Sequence, residues 1–152
     1  MGNVTRGLAL GLVLVVFSSA HAQTWQVQLD LSPSQLQEQI DSLVPLGFRP
    51  AMIAAHESPG GPRFQTSWVN DGVTNWGWIS GANSADYGAF STAQTGLGRR
   101  PVSVSAYGNF PNEQYAAVWV NDGVTQWQAM RQMTNADYTA QLSTMSGGGF
   151  RP

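Results

Sequence analysis

The residues able to do chemistry are few, and their types exclude more than they allow. The chain has two histidines, His21 and His56, and no cysteine; all seven basic residues are arginine. Without Cys there is no thiolate nucleophile, disulfide framework or Cys-based zinc site. Without Lys there is no Schiff-base chemistry, no S-x-x-K nucleophile and no phosphate-loop lysine. A Ser-His-Asp triad would have to use His56, and no G-x-S-x-G elbow is present to expose a serine. A lone histidine on a strand reads as structural; its other role is as one wall of a polar pocket with Glu57 and Arg63. Asp71 and Asp122 each sit in an Asn-Asp-Gly triplet and could be read as calcium ligands. The D-x-[DN]-x-[DN]-G pattern is missing, however, and Asp-Gly is the usual hairpin turn. The expectation is a protein that is not an enzyme and has no cofactor and no metal.

Composition narrows the partners. The chain has 152 residues, a formal net charge of −2 and 11% charged residues, a poor polyelectrolyte, so nucleic acid is excluded as a partner. The length suits one domain. Residues 1–22 read as an address: Arg6 in a short polar start, the ten-residue apolar run Leu8 to Phe17, then Ser18-Ser19-Ala20-His21-Ala22 ending in A-x-A. This is the form of a secretory signal peptide cleaved after Ala22, and the run is too short for the roughly 20 residues a bilayer span requires. The expected mature protein begins at Gln23, is secreted or periplasmic, and does not insert in a membrane once the signal is removed.

Repetition organises the rest. Trp68-Val69-Asn70-Asp71-Gly72-Val73-Thr74 returns as Trp119-Val120-Asn121-Asp122-Gly123-Val124-Thr125, an offset of 51. The same offset relates Trp25, Trp76 and Trp127, and Arg49, Arg100 and Arg151 within their Gly-x-Arg-Pro motifs. Residues 25–75 and 76–126 agree at 13 of 51 positions without a gap, which makes this a repeat protein. The domain 23–152 then holds units 25–75 and 76–126 and a half unit 127–152. The third helix is expected either to cap the stack or to begin a longer array.

The local signals predict a helix and three strands per unit. Ser32, Asn83 and Thr134 are N-cap residues, with Gln35, Asp86 and Asp137 at capping-box spacing and Pro33 at the first helical position. The helices are expected to bury Leu36, Ile40, Leu43 and Val44, then Tyr87 and Phe90, then Tyr138, Leu142 and Met145. Gly47, Gly98 and Gly149 end them in the left-handed conformation. Strands follow at Val102–Tyr107, Tyr115–Val120 and Val124–Met130, the last two expected as an Asn-Asp-Gly hairpin. The fold class is α+β: tandem 51-residue repeats, each a helix with a three-stranded antiparallel β unit.

These motifs carry a resemblance. Gly98-Arg99-Arg100-Pro101, Tyr115-Ala116-Ala117-Val118-Trp119-Val120, Asp122-Gly123, Trp127, and Met133-Thr134 with Tyr138 together resemble the bacterial tandem repeat domain family. Similar repeats form the N-terminal, non-catalytic region of secreted serine hydrolases with a β-lactamase-like catalytic domain, polyglycine hydrolases among them. The resemblance implies a repeat module without chemistry of its own. Unit one departs from the pattern, with His56 where Tyr107 stands, Phe64 for the Tyr, and Gln65-Thr66-Ser67 for Ala-Ala-Val.

The reading is a secreted, non-enzymatic repeat module for binding or assembly, self-associating into a homo-oligomer. Beside it stand a lectin-like module binding cell-wall glycan, an unidentified extracellular protein partner, and the accessory region of a longer secreted serine hydrolase. The candidate ligand-binding residues are Trp78, an off-lattice tryptophan read as an exposed platform, His56, Glu57 and Arg63 in one variable loop region, and Tyr107 and Phe110 in the other. The lattice residues Trp25, Trp68, Trp76, Trp119 and Trp127 are expected to form the stacking core. Arg49, Arg100 and Arg151 are expected to meet helix-end carbonyls or a tryptophan face, and Asp71 and Asp122 to make turns.

Overall fold

The structure, a computed structural model, describes residues 23–150. The expected leader (1–22), Arg151 and Pro152 lie outside the described residues. The first unit runs β1 (Thr24–Leu31), α1 (Pro33–Leu43), a 3-10 turn (Val44–Leu46), β2 (Arg49–His56) and β3 (Arg63–Asn70). The second runs β4 (Trp76–Ala82), α2 (Ser84–Gly96), β5 (Arg100–Tyr107) and β6 (Gln114–Val120), and α3 (Asn135–Gly147) follows. Each unit closes its own antiparallel three-stranded sheet, ordered β1-β3-β2 in the first and β4-β6-β5 in the second. The class is α+β with repeats, as read.

The strand pairing differs from the expectation. The Asn-Asp-Gly segment does not close a hairpin: β3 pairs with β1 and β2, whereas β4 pairs with β6 in the other sheet. As the central strand, β3 has both edges occupied, so no edge remains for the strand after the turn. The turn is nevertheless real, with φ of 77° at Gly72 and 80° at Gly123; the first of the two passes the chain from one sheet to the next. Each unit is therefore strand, helix, strand, strand. The strand expected at Val124–Met130 is also not formed, since residues 121–134 have no ladder partner among the described residues.

The caps follow the sequence closely. The Ser32 and Thr134 side chains accept from the amides of Gln35 and Asp137, whose own side chains return the bond, while Asn83 accepts from Ala85 and Asp86. Three further positions share one backbone kink at the 51-residue offset: Asp30, Gly81 and Gln132 have φ of 57°, 68° and 57°. In β1 and β4 this kink falls where the ladder register shifts, the left-handed residue of a bulge.

Packing comes in three clusters. Leu36, Ile40 and Leu43 of α1 are buried, with Ile40 and Leu43 against Phe48 and Trp68. Tyr87 of α2 stacks on Tyr115 and Trp119 with ring centroids 4.7 and 5.5 Å apart, and Phe90 meets Trp119 edge-on at 5.2 Å. The third cluster joins the units: Leu31, Leu36, Ile53 and Phe64 from the first meet Tyr107, Ala116, Val118 and Val120 from the second. Thus alternate residues of β6 serve two cores, Tyr115, Ala117 and Trp119 under their own helix and Ala116, Val118 and Val120 toward the neighbouring unit, as the pleat requires. The third helix departs from expectation: α3 buries none of its residues. Among the described residues there is no third sheet for Tyr138, Leu142 and Met145 to rest on.

Candidate functional site

The most specific polar geometry is at the junction between units. In the order β1-β3-β2, β2 is an edge strand, and an open edge leaves N–H and C=O groups unpaired. Here two serines of β5 take the place of a strand. The Ser103 hydroxyl accepts from the Ile53 amide at 3.1 Å and donates to the Ile53 carbonyl at 3.0 Å. Two residues on, Ser105 does the same for Ala55, at 2.9 and 3.3 Å. Serines at i and i+2 lie on one face of a strand, so their spacing matches that of the outward-facing groups of β2. Trp76, Trp78 and Val102, each half-buried, pack on the same junction cluster.

A pair of ion pairs repeats with the lattice. Arg49 donates to both Asp71 carboxylate oxygens, with Nε to Oδ1 at 3.1 Å, and Arg100 does so to Asp122, with Nε to Oδ1 at 3.0 Å. The arginines therefore meet turn carboxylates, rather than the helix-end carbonyls or tryptophan faces expected of them. The bidentate fork suits a planar carboxylate better than either alternative. Burial would raise the Asp71 pKa, but the Arg49 hydrogen bonds and the Val73 amide overcome it and leave the carboxyl below its ordinary value. For Asp122 the Arg100 hydrogen bonds dominate, and the pKa is again lowered. Each aspartate also accepts the amide two residues on, from Val73 at 3.1 Å and Val124 at 3.2 Å. They lock a corner, and among the described residues no group of three or more acidic or histidine side chains is placed to hold a metal.

The residues proposed for ligand binding do not converge. Trp78, read as an exposed platform, is half-buried and packs on both the junction cluster and the Ile40–Trp68 cluster. It pairs in the ladder with Val118, which belongs to the junction cluster. Tyr107 is buried, edge-on to Phe64 at 5.7 Å, and its hydroxyl accepts from the Gly81 amide at 3.0 Å. Burial, together with nearby Glu57, raises its pKa. His56 is exposed and pairs across the ladder with Arg63, whose Nε lies 3.9 Å from Asp30. Glu57 lies near Gly108 of the second unit instead, so the three line no common pocket. Phe110 is 88% exposed, and His56 and Glu57 are exposed as well.

The lattice tryptophans divide by position. Trp68 and Trp119 are fully buried and Trp76 is packed at the junction, but Trp25 is 55% exposed and Trp127 only half-buried. Trp68 and Trp119 are thus buried within their own units, and Trp76 packs between units. At the far end, a groove of about 550 Å³ is lined by Trp127, Met130, Tyr138, Leu142, Met145 and Phe150.

Sequence reasoning missed Ser103 and Ser105. The one trace in the sequence is that unit one has Met52 and Ala54 at these positions, a difference that does not by itself tell a water-facing hydroxyl from one that meets backbone. It also missed that Thr66 accepts the indole N–H of Trp68 at 2.9 Å. The repeat equivalent of Thr66 is Ala117, and Trp119 Nε1 is accordingly buried without a partner.

A family model described as "Polyglycine hydrolase-like, structural repeat" matches three times, over residues 22–71, 74–122 and 124–152. Each match begins just ahead of a first strand or its equivalent, in the strand-helix-strand-strand frame of the fold. A search of curated proteins finds no match.

Proposed function

Since the chain belongs to the polyglycine hydrolase-like structural-repeat family, we propose that it is an exported, non-enzymatic module whose role is assembly. The observation that carries this reading is the junction between units, where the open edge of one sheet is covered by the next unit. In the second sheet β5 stands at the edge as β2 does in the first. Val104 and Ala106, the equivalents of Ile53 and Ala55, are exposed. An edge of this kind templates association with another chain or unit. The leader pattern of residues 1–22 supports export, and a sequence without Lys lacks the S-x-x-K nucleophile of the β-lactamase-like hydrolases. The same surfaces would serve an accessory region of a longer secreted hydrolase.

Light scattering on the exported protein tests the reading. The expected result is a weight-average mass that rises with concentration from micromolar upward; a constant monomer mass removes it. Phe110, exposed on the loop after β5, favours a second reading as a glycan-binding module. Pull-down on insoluble polysaccharides that is unchanged in Phe110→Ala, or absent in the native protein, ends that alternative.

A further inference from the structure

We infer that copies of this chain dock head to tail, the outer face of the first sheet of one copy seating on the third helix of the next. This rests on the assembly reading above and specifies its two surfaces. The template is the junction inside the chain, where Trp78 of β4 packs against Ile40, Leu43, Phe48 and Trp68 of the first unit. Among the described residues, the first sheet carries the same face without a covering unit. Trp25 and Val27 occupy the positions of Trp76 and Trp78, and Trp25, Val27 and Leu29 are 55%, 63% and 66% exposed. Val27 and Met52 both pair with Ser67, so they form one row across the sheet, and Met52 is itself exposed. Contiguous apolar exposure of this kind marks an interaction surface.

The opposite end carries the matching receptor. Leu142, Met145 and Phe150 stand one repeat further on from Ser91, Gln94 and Arg99, and two on from Ile40, Leu43 and Phe48. The third unit thus restores the apolar set on which Trp78 seats in the first, where the second unit has polar residues. Leu142 is exposed, Met145 and Phe150 are half-buried, and all three border the groove beside the third helix. The occupant that fits is a second copy, because the interface already exists within one chain, between equivalent positions. The two surfaces differ, so the contact is heterologous and adds copies in series rather than closing a two-fold dimer.

The test uses Val27→Asp and Leu142→Asp in the exported protein, followed by sedimentation. Both side chains are exposed, so the buried core is untouched. Each variant alone is expected to be monomeric. An equimolar mixture is expected to give a species of two chain masses and nothing larger, since one variant retains its tail and the other its head. Because the chain has no cysteine, Val27→Cys and Leu142→Cys add a second readout. A short bis-maleimide should link the two variants to each other in a mixture and neither to itself. Self-linked Val27→Cys, or charge variants that assemble as the wild type does, would overturn the head-to-tail geometry while leaving assembly standing. A wild-type protein that stays monomeric removes both.

Discussion

Ser103 holds Ile53 by both of its backbone polar groups, accepting from the amide at 3.1 Å and donating to the carbonyl at 3.0 Å. One hydroxyl thus does the work of a ladder residue on an absent strand. With Ser105 repeating the arrangement on Ala55, two side chains close a sheet edge and fix the distance and register of the next sheet. Apolar packing at the junction supplies most of the driving force, but it is not directional; the serines decide where the sheets sit.

Removing the hydroxyls should cost more than their net bond strength. Ser103→Ala leaves the Ile53 N–H and C=O unpaired in a half-dry junction, a loss of about 1–3 kcal/mol. Ser105→Ala should cost a similar amount, and the double variant close to the sum of the two. Urea unfolding followed by tryptophan fluorescence checks this: the midpoint should fall with little change in slope.

The two buried indoles make a paired prediction. Thr66→Val preserves the shape but removes the acceptor for Trp68 Nε1, and should cost about 1–3 kcal/mol. Ala117→Thr places a hydroxyl where Trp119 Nε1 has no partner, and should add about 0.5–1.5 kcal/mol. Opposite shifts of the unfolding midpoint at equivalent positions would support the assignment; shifts of the same sign would contradict it.

The arginine–aspartate pairs give the chain an acid limb. The folded-state pKa of both Asp71 and Asp122 lies below the ordinary carboxylate value. Their stabilising contribution is therefore fully present above the unfolded value of about 3.9, and is lost as the pH falls from there through the folded values. The Arg49–Asp71 side chains are 12% and 11% exposed, and those of Arg100–Asp122 are 28% and 29% exposed. Asp71→Asn should accordingly cost about 1–3 kcal/mol at neutral pH and Asp122→Asn about 1 kcal/mol or less. Chemical denaturation between pH 7 and pH 3 should show a shallower acid loss in each variant.

The kink shared by Asp30, Gly81 and Gln132 is tested at its glycine. Gly81 has φ of 68° and its amide bonds the Tyr107 hydroxyl at 3.0 Å. Gly81→Val must either hold a branched side chain in the left-handed region or give up that bond, at about 1–2 kcal/mol. A thermal melt measures the loss; a variant as stable as the wild type would mean the kink is not required.

What was legible in the sequence was local. Ser32, Asn83 and Thr134 cap helices because a short side chain reaches its own next turn, and Gly47, Gly98 and Gly149 turn left-handed because the chain there requires it. Pairing was not legible. Asp71-Gly72 between two alternating strands reads as a hairpin, and only the occupation of both edges of β3 by β1 and β2 forbids it. The partial burial of Trp78 was not legible for the same reason, since it packs on clusters to which another unit contributes. Ser103 and Ser105 looked like the solvent side of a strand, because a hydroxyl facing water and one facing a backbone edge leave the same alternation.

Amide hydrogen exchange at Ile53 and Ala55 tests the central claim most directly. Both lie on an edge strand, yet the serine-capped junction predicts protection comparable with that of the central-strand amides of β3. It also predicts selective loss of that protection at Ile53 in Ser103→Ala and at Ala55 in Ser105→Ala. Rapid exchange at both amides in the wild-type protein, or protection unchanged by either substitution, would contradict the account.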